Sequence, residues 1–239
     1  MNDCCLCNEI RGNLEDNLFA RAFGYELVNA IVFETQNFAV IPSLGHLVEG
    51  YLLIVPKEHL LSIGALSTDK FTELSDVIEQ IRSLIEPIYG PTILFEHGPA
   101  SPARRAGCCT DHAHLHIVPA KVDLLAPVRP FFLWRPIHAL SDLKAFYDNH
   151  EPYLFIQGAD AVMHACPAPL VPSQFLRKAL ANCLGKPREW DWRSYPAIDG
   201  ISAFLSKVGI ASETMRPSTC LANRRKAKSH PTYAAQSKP

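Results

Sequence analysis

Asp111-His112-Ala113-His114-Leu115-His116-Ile117-Val118-Pro119 decides how this chain is read. Histidines alternate with small or apolar residues, and a period of two is the signature of a strand, because successive side chains point to opposite faces. His112, His114 and His116 are therefore expected on one face, with neighbours about 6.5 to 7 Å apart. Ala113, Leu115 and Ile117 are expected in the core on the other. Three imidazoles in a row admit two functional readings: a metal-binding triad, or catalytic imidazoles around a phosphate. A polar edge strand with incidental histidines is the plain alternative.

Outward from the triad, Thr92 to His97 reads as a strand. The loop from Gly98 to Gly107 follows, rich in glycine, proline and alanine and carrying Arg104 and Arg105, either solvated or a clamp on a polyphosphate. The adjacent Cys108 and Cys109 lead into the triad as reduced thiols. Upstream, the apolar positions from Phe71 to Ile88, including Leu84, recur at spacings of three and four, which predicts a helix over 67–89. Ser67 or Thr68 is its expected cap, Asp69 lies in its first turn, and Gly90-Pro91 stops it. Val28 to Phe33, Phe38 to Ile41 and Tyr51 to Val55 read as a three-stranded meander. His59 sits just past its end, in Pro56-Lys57-Glu58-His59. At the other end of the chain, Cys4 and Cys7 form a C-x-x-C pair, a spacing that suits two thiolates of a tetrahedral zinc site. Two further ligands must then come from elsewhere, and histidines are the expected donors.

Composition sets the frame. The 239 residues are 48% hydrophobic and 20% charged, as in ordinary globular proteins. A formal net charge of −1 gives no electrostatic case for nucleic acid or for a membrane surface. No run of about 18 apolar residues predicts a transmembrane helix, and no signal peptide is read at the start. Eight cysteines in such a chain are expected to be reduced, which fits a cytoplasmic location.

These residues resemble the histidine-triad family of nucleotidyl hydrolases and transferases. Two blocks carry the resemblance: Gly50 to His59, ending in Pro-Lys-x-His, and His112-Ala113-His114-Leu115-His116-Ile117-Val118. The arrangement between Phe95-Glu96-His97-Gly98 and the triad is also similar, and the likeness covers roughly residues 4 to 120. It implies an α+β fold, an antiparallel sheet flanked by helices, commonly in a homodimer. It also implies that His114 attacks the α-phosphorus of a nucleotide or nucleotide conjugate, forming a nucleotidyl-histidine that water or another acceptor relieves, with His116 by the phosphate. In zinc-bearing members the ligands correspond to Cys4, Cys7, His59 and His112, which makes a structural Zn2+ the expected cofactor. The chain departs from the family where many members carry an acid for the ribose hydroxyls, here Ser43. It departs again at Glu96, where asparagine is frequent, and at Cys109 and Thr110, where a serine often meets phosphate. With Arg104 and Arg105 of the loop and Arg177 of the segment beyond the resemblance, Ser43, Glu96, Gly98, Cys109 and Thr110 are the candidate substrate-binding residues.

The expected organisation is a catalytic core over 1–125, an extension over 126–211 that packs on the core and shapes the pocket, and a disordered basic tail over 212–239. Within the extension, a helix is expected from Ser141 to His150, a strand from Tyr153 to Gln157 and a proline-rich connector from Ala165 to Pro172. A helix capped by Ser173 and closed by Gly185 follows. The tail carries six positive charges against Glu213. Cys166, Cys183 and Cys220 with His164 lack zinc-finger spacing, which counts against a nucleic-acid end-processing deadenylylase. A non-catalytic nucleotide-binding regulator is the other alternative, and an intact His114 and His116 count against it.

Overall fold

The computed structural model describes residues 4–100 and 112–209. One antiparallel sheet of eight strands organises them, in the order β1-β2-β3-β5-β4-β7-β8-β6. Its strands are β1 (Phe33–Glu34), β2 (Phe38–Pro42), β3 (Leu52–Pro56), β4 (Thr92–Gly98), β5 (Leu115–Pro119), β6 (Arg135–Ile137), β7 (Tyr153–Gln157) and β8 (Met163–Pro167). The helices are α1 (Cys5–Arg11), α2 (Leu18–Ala22), α3 (Lys70–Tyr89), α4 (Lys144–Asp148), α5 (Phe175–Cys183) and α6 (Ile198–Lys207). This is the expected α+β arrangement. The residues after 126 extend the same sheet, since β7 pairs with β4 from Leu94↔Gln157 to Gly98↔Tyr153.

Each face of the sheet has its own core. Val40, Leu52, Ile54, Leu94, Leu115 and Ile117 pack on α3, whose Phe71, Leu74, Val77, Ile78, Ile81 and Ile85 are buried. Leu84 and Ile88, expected in that stripe, lie on its flank and are 37% and 51% exposed. Ile41, Leu53, Val55, Phe95 and Leu154 point to the other face and pack with Leu6 of α1 and Leu176 and Leu180 of α5. Full burial on both faces explains why the central strands read as continuous apolar runs.

Several elements differ from expectation. The first strand shrinks to Phe33–Glu34, because Val28 to Val32 precede the ladder as irregular chain. Helix α3 starts at Lys70 after Asp69 rather than at Ser67. The Ser141–His150 helix begins as a 3-10 turn over Leu140–Leu143, where the Asp142 carboxylate accepts from the His138 and Ala139 amides at 2.8 and 3.1 Å. The proline-rich connector is in part strand β8, and its Pro167 stands at the strand end, where no further ladder donor is needed. Gln174, not Ser173, precedes α5, in the left-handed conformation. Among the described residues no helix is long and apolar enough to cross a membrane. The expected tail lies outside the described residues.

Candidate active site and metal cluster

Period two along β5 sends Leu115 and Ile117 under α3 and turns His116 to the opposite face. There the His116 ring stacks on Phe95 of β4, with centroids 4.3 Å apart and planes at 11°, and its Nδ1 meets the Tyr51 hydroxyl at 2.7 Å. His114, just before the strand, lies edge-on to His116 at 4.9 Å between centroids. The His114 Nδ1–H donates to the backbone carbonyl of His112 at 2.7 Å. That bond selects the tautomer and leaves the Nε2 lone pair unprotonated. Burial holds both imidazoles below the ordinary histidine pKa, His116 well below it. His114 and His116 are therefore neutral near pH 7.

Both rings line a cleft of about 840 Å3, counting its open mouth, between the sheet, α1 and α5. Ser43 and Arg177 line it as well. Arg177 is buried and fully engaged: Nε donates to the Trp190 carbonyl at 2.6 Å, Nη1 to Ser43 Oγ at 3.4 Å and Nη2 to the Gly45 carbonyl. Gly45, at φ +63°, must be glycine, because a Cβ there would stand 2.6 Å from Trp192 and from the Tyr195 carbonyl. The 43–50 loop is thus gripped by the extension, which also sends Lys186 Nζ to the Leu47 carbonyl at 2.8 Å.

Glu96 and Gly98 are placed otherwise than a substrate contact would need. Phe95 and His97 face the cleft, so alternation turns Glu96 to the α3 side. There its carboxylate accepts from the Ile63 amide at 2.7 Å and the Tyr153 hydroxyl at 2.5 Å. Gly98 makes room for Tyr153, whose ring would lie 2.2 Å from a Cβ. Arg104, Arg105, Cys109 and Thr110 lie outside the described residues. Cleft residues that the sequence reading passed over are Glu9 on α1 and His97 on β4; Gln174, just before α5, also lines the cleft. His97 was legible in principle, two positions from Phe95 on the same strand face. Burial drives His97 down to about 4 and Glu9 up to about 8.

Beside the cleft, Cys4, Cys7, His59 and His112 gather four donor atoms within 4.8 Å of one another. Cys7 Sγ lies 3.4 Å from His59 Nδ1 and 3.3 Å from His112 Nδ1, and Cys4 Sγ lies 3.4 Å from His112 Nδ1. A tetrahedron with Zn–S near 2.3 Å and Zn–N near 2.0–2.1 Å has sulfur–nitrogen edges of about 3.5 Å, so this donor set fits zinc. His112 Nε2–H donates to the Pro56 carbonyl at 2.7 Å, which leaves Nδ1 as the ligating nitrogen, the arrangement in which an outer partner fixes a ligand's tautomer.

No family model matches the chain. It is 28% identical over 94 residues to the bis(5'-adenosyl)-triphosphatase of Dictyostelium discoideum, which covers 38% of this chain and 60% of that protein. The chain thus spans less than two thirds of that curated relative. Among solved structures, a HIT family protein from Bacillus anthracis is 23% identical, covers 49% of this chain and 73% of its own, and superposes with a TM-score of 0.38. A Zn-bound histidine triad family protein from Mycobacterium smegmatis is 18% identical, covers 62% and 97%, and gives a TM-score of 0.36. The chain is similar to proteins of the histidine-triad family.

Proposed function

We propose that this chain is a histidine-triad nucleotidyl hydrolase or transferase that acts at the α-phosphate of dinucleoside polyphosphates or nucleoside monophosphate conjugates. One observation carries the reading: His114 Nδ1 is committed to the His112 carbonyl at 2.7 Å, so a neutral imidazole offers its Nε2 lone pair in the cleft. Nε2 attacks the α-phosphorus, the N–P bond forms, and the P–O bond to the leaving group breaks. Water, or another acceptor, then attacks the same phosphorus from its oxygen, and the N–P bond breaks as nucleotide leaves. With the Tyr51 hydroxyl donating to His116 Nδ1, the His116 Nε2–H is free to donate to the phosphate oxygens or the leaving oxygen. Ser43 and Arg177 form the wall on the extension side.

Cys4, Cys7, His59 and His112 hold zinc in this reading. Two thiolates and two imidazoles close a tetrahedron, and zinc there supplies a structural cross-link between α1, the chain after β3 and the start of the triad. The nucleotide or conjugate is the small-molecule partner, and the family resemblance adds a homodimer, which light scattering would read as two chains per particle.

The test is rapid quenching with substrate labelled at the α-phosphate. The expected product is protein-bound label that is acid-labile and base-stable, as a phosphoramidate is, and that is lost in His114→Ala. Stable label on a cysteine, or normal turnover by His114→Ala, would assign the wrong nucleophile. A panel of dinucleoside polyphosphates, nucleoside phosphoramidates and nucleotide sugars would rank the leaving groups.

A further inference from the structure

Glu9 is the acid in the cleft wall, and none of the roles above uses it. It is 4% exposed on α1, and its Oε1 has no hydrogen-bond partner. Burying a carboxyl oxygen without a donor costs about 1–3 kcal/mol, more when charged. Such groups are rare in folded chains and call for an explanation. Glu9 is not one of the four donors of the metal cluster. Leu6, Leu18, Ile41, Leu44 and Phe175, whose side chains offer no donor, line the same cleft. A second acceptor, Gln174 Oε1, lines the same cleft and is also buried without a partner, as is His97 Nε2. Two acceptors lacking donors, in an apolar cleft that also holds the two neutral imidazoles, are complementary to a ligand that brings donors of its own. A ligand that presents phosphorus to His114 enters the cleft that these walls line.

We propose that Glu9 is a specificity-determining residue: its carboxyl accepts a hydrogen bond from a hydroxyl or amino group on the nucleoside half of the ligand, with the Gln174 carbonyl as a second acceptor. This rests on the nucleotide reading of the cleft. The apolar walls take the flat faces of the base, and the unpaired oxygens distinguish ligands that carry a donor at that point from those that lack it. Discrimination of this kind is strong, because the wrong ligand leaves a buried polar group unpaired.

Calorimetric titration of the full, zinc-loaded chain with AMP, GMP, CMP and UMP tests this, followed by the 2'-deoxy and 3'-deoxy forms of the tightest binder. Glu9→Leu should weaken the tightest nucleotide roughly tenfold to a hundredfold. The analogue that lacks the recognised donor should bind wild type and variant alike. If a deoxy analogue behaves so, the donor is a ribose hydroxyl; if the four bases lose their ranking while the deoxy forms do not differ, it is a base amino group. Glu9→Gln keeps the shape and one acceptor, and should fall between wild type and Glu9→Leu. Ligand-free Glu9→Leu should melt no lower than wild type, since it removes an unpaired buried group. Wild-type binding with unchanged affinities in Glu9→Leu overturns the assignment alone. A lower melting temperature with loss of zinc would mark Glu9 as structural and overturn it as well. Failure of wild type to bind any nucleotide overturns the nucleotide reading, and this inference with it.

Discussion

Replacing Glu96 by glutamine should flatten the pH dependence of folding stability between about pH 4.5 and 7. The carboxyl is 2% exposed, on the α3 side of β4. Burial pushes its pKa from 4.5 to about 7, and the hydrogen bonds from Tyr153 and the Ile63 amide offset part of that rise. Between those two pH values the folded chain keeps a proton that the unfolded chain has lost. The folded state then binds more protons, so stability falls as pH rises through this window and the full cost is present above it. At 1.36 kcal/mol per pKa unit, a rise from 4.5 to about 7 amounts to about 3 kcal/mol. Glutamine cannot ionise, yet its carbonyl can still accept from Ile63 while its amide donates to the Tyr153 oxygen. Urea unfolding of both proteins across this range isolates the effect, because every other titrating group is common to both. The variant should gain about 3 kcal/mol on wild type between pH 4.5 and pH 7.5. At fixed pH its KM should not change, since the side chain points away from the cleft. A stability difference that stays constant across the range would refute the buried-acid account, and a raised KM would return Glu96 to the substrate.

Three further outcomes are expected. His114→Ala should lose turnover while keeping its melting temperature and its zinc, because the ring is neither a donor of the metal cluster nor part of either hydrophobic core; circular dichroism and metal analysis read this. Cys7→Ser should melt lower than wild type and should no longer respond to a chelator that lowers the wild-type transition, and a native protein free of zinc on metal analysis would refute the site. Arg177→Ala should cost about 3 kcal/mol or more in urea unfolding, since it leaves the Trp190 and Gly45 carbonyls without their charged donor; an undiminished stability with altered substrate ranking would show that the guanidinium serves the ligand instead.

Legibility in the sequence followed the length and regularity of each element. Helix α3 has twenty residues and five turns of apolar repeat, enough for periodicity to stand above noise. Helices α1 and α2, with seven and five residues, are too short to show a period, and they were not read. Helix α6, with Ile201, Phe204 and Leu205 buried, was also missed, since only about three turns carry its stripe. The alternation at the triad is legible from Leu115 to Ile117, where apolar residues flank His116, whereas His112 and His114, expected on the same strand face, precede the strand. The side that Glu96 takes could have been read in the same way, since Phe95 and His97 flank it on one strand. Glu9 could not be found from sequence at all. Its place in the cleft depends on where α1 packs on the sheet, and no local pattern encodes that.

His112 joins the two centres. Its Nδ1 belongs to the thiol and imidazole cluster, its Nε2–H is held by the Pro56 carbonyl, and its own carbonyl takes the His114 Nδ1–H. A ring fixed at both nitrogens leaves little freedom to the backbone that carries it, and that backbone sets the tautomer of His114. The neighbouring Ala113 amide adds a bond to the Leu60 carbonyl at 2.7 Å, tying the same turn to the chain that follows β3. Three anchors thus converge on the residues just before β5, where His114 has no ladder partner of its own. An imidazole on an unpaired strand approach would otherwise sample many orientations, and the attack proposed for His114 needs one. Pre-organisation of this kind is supplied by the fold, and the cluster of Cys4, Cys7, His59 and His112 reaches to within two residues of His114 along the chain.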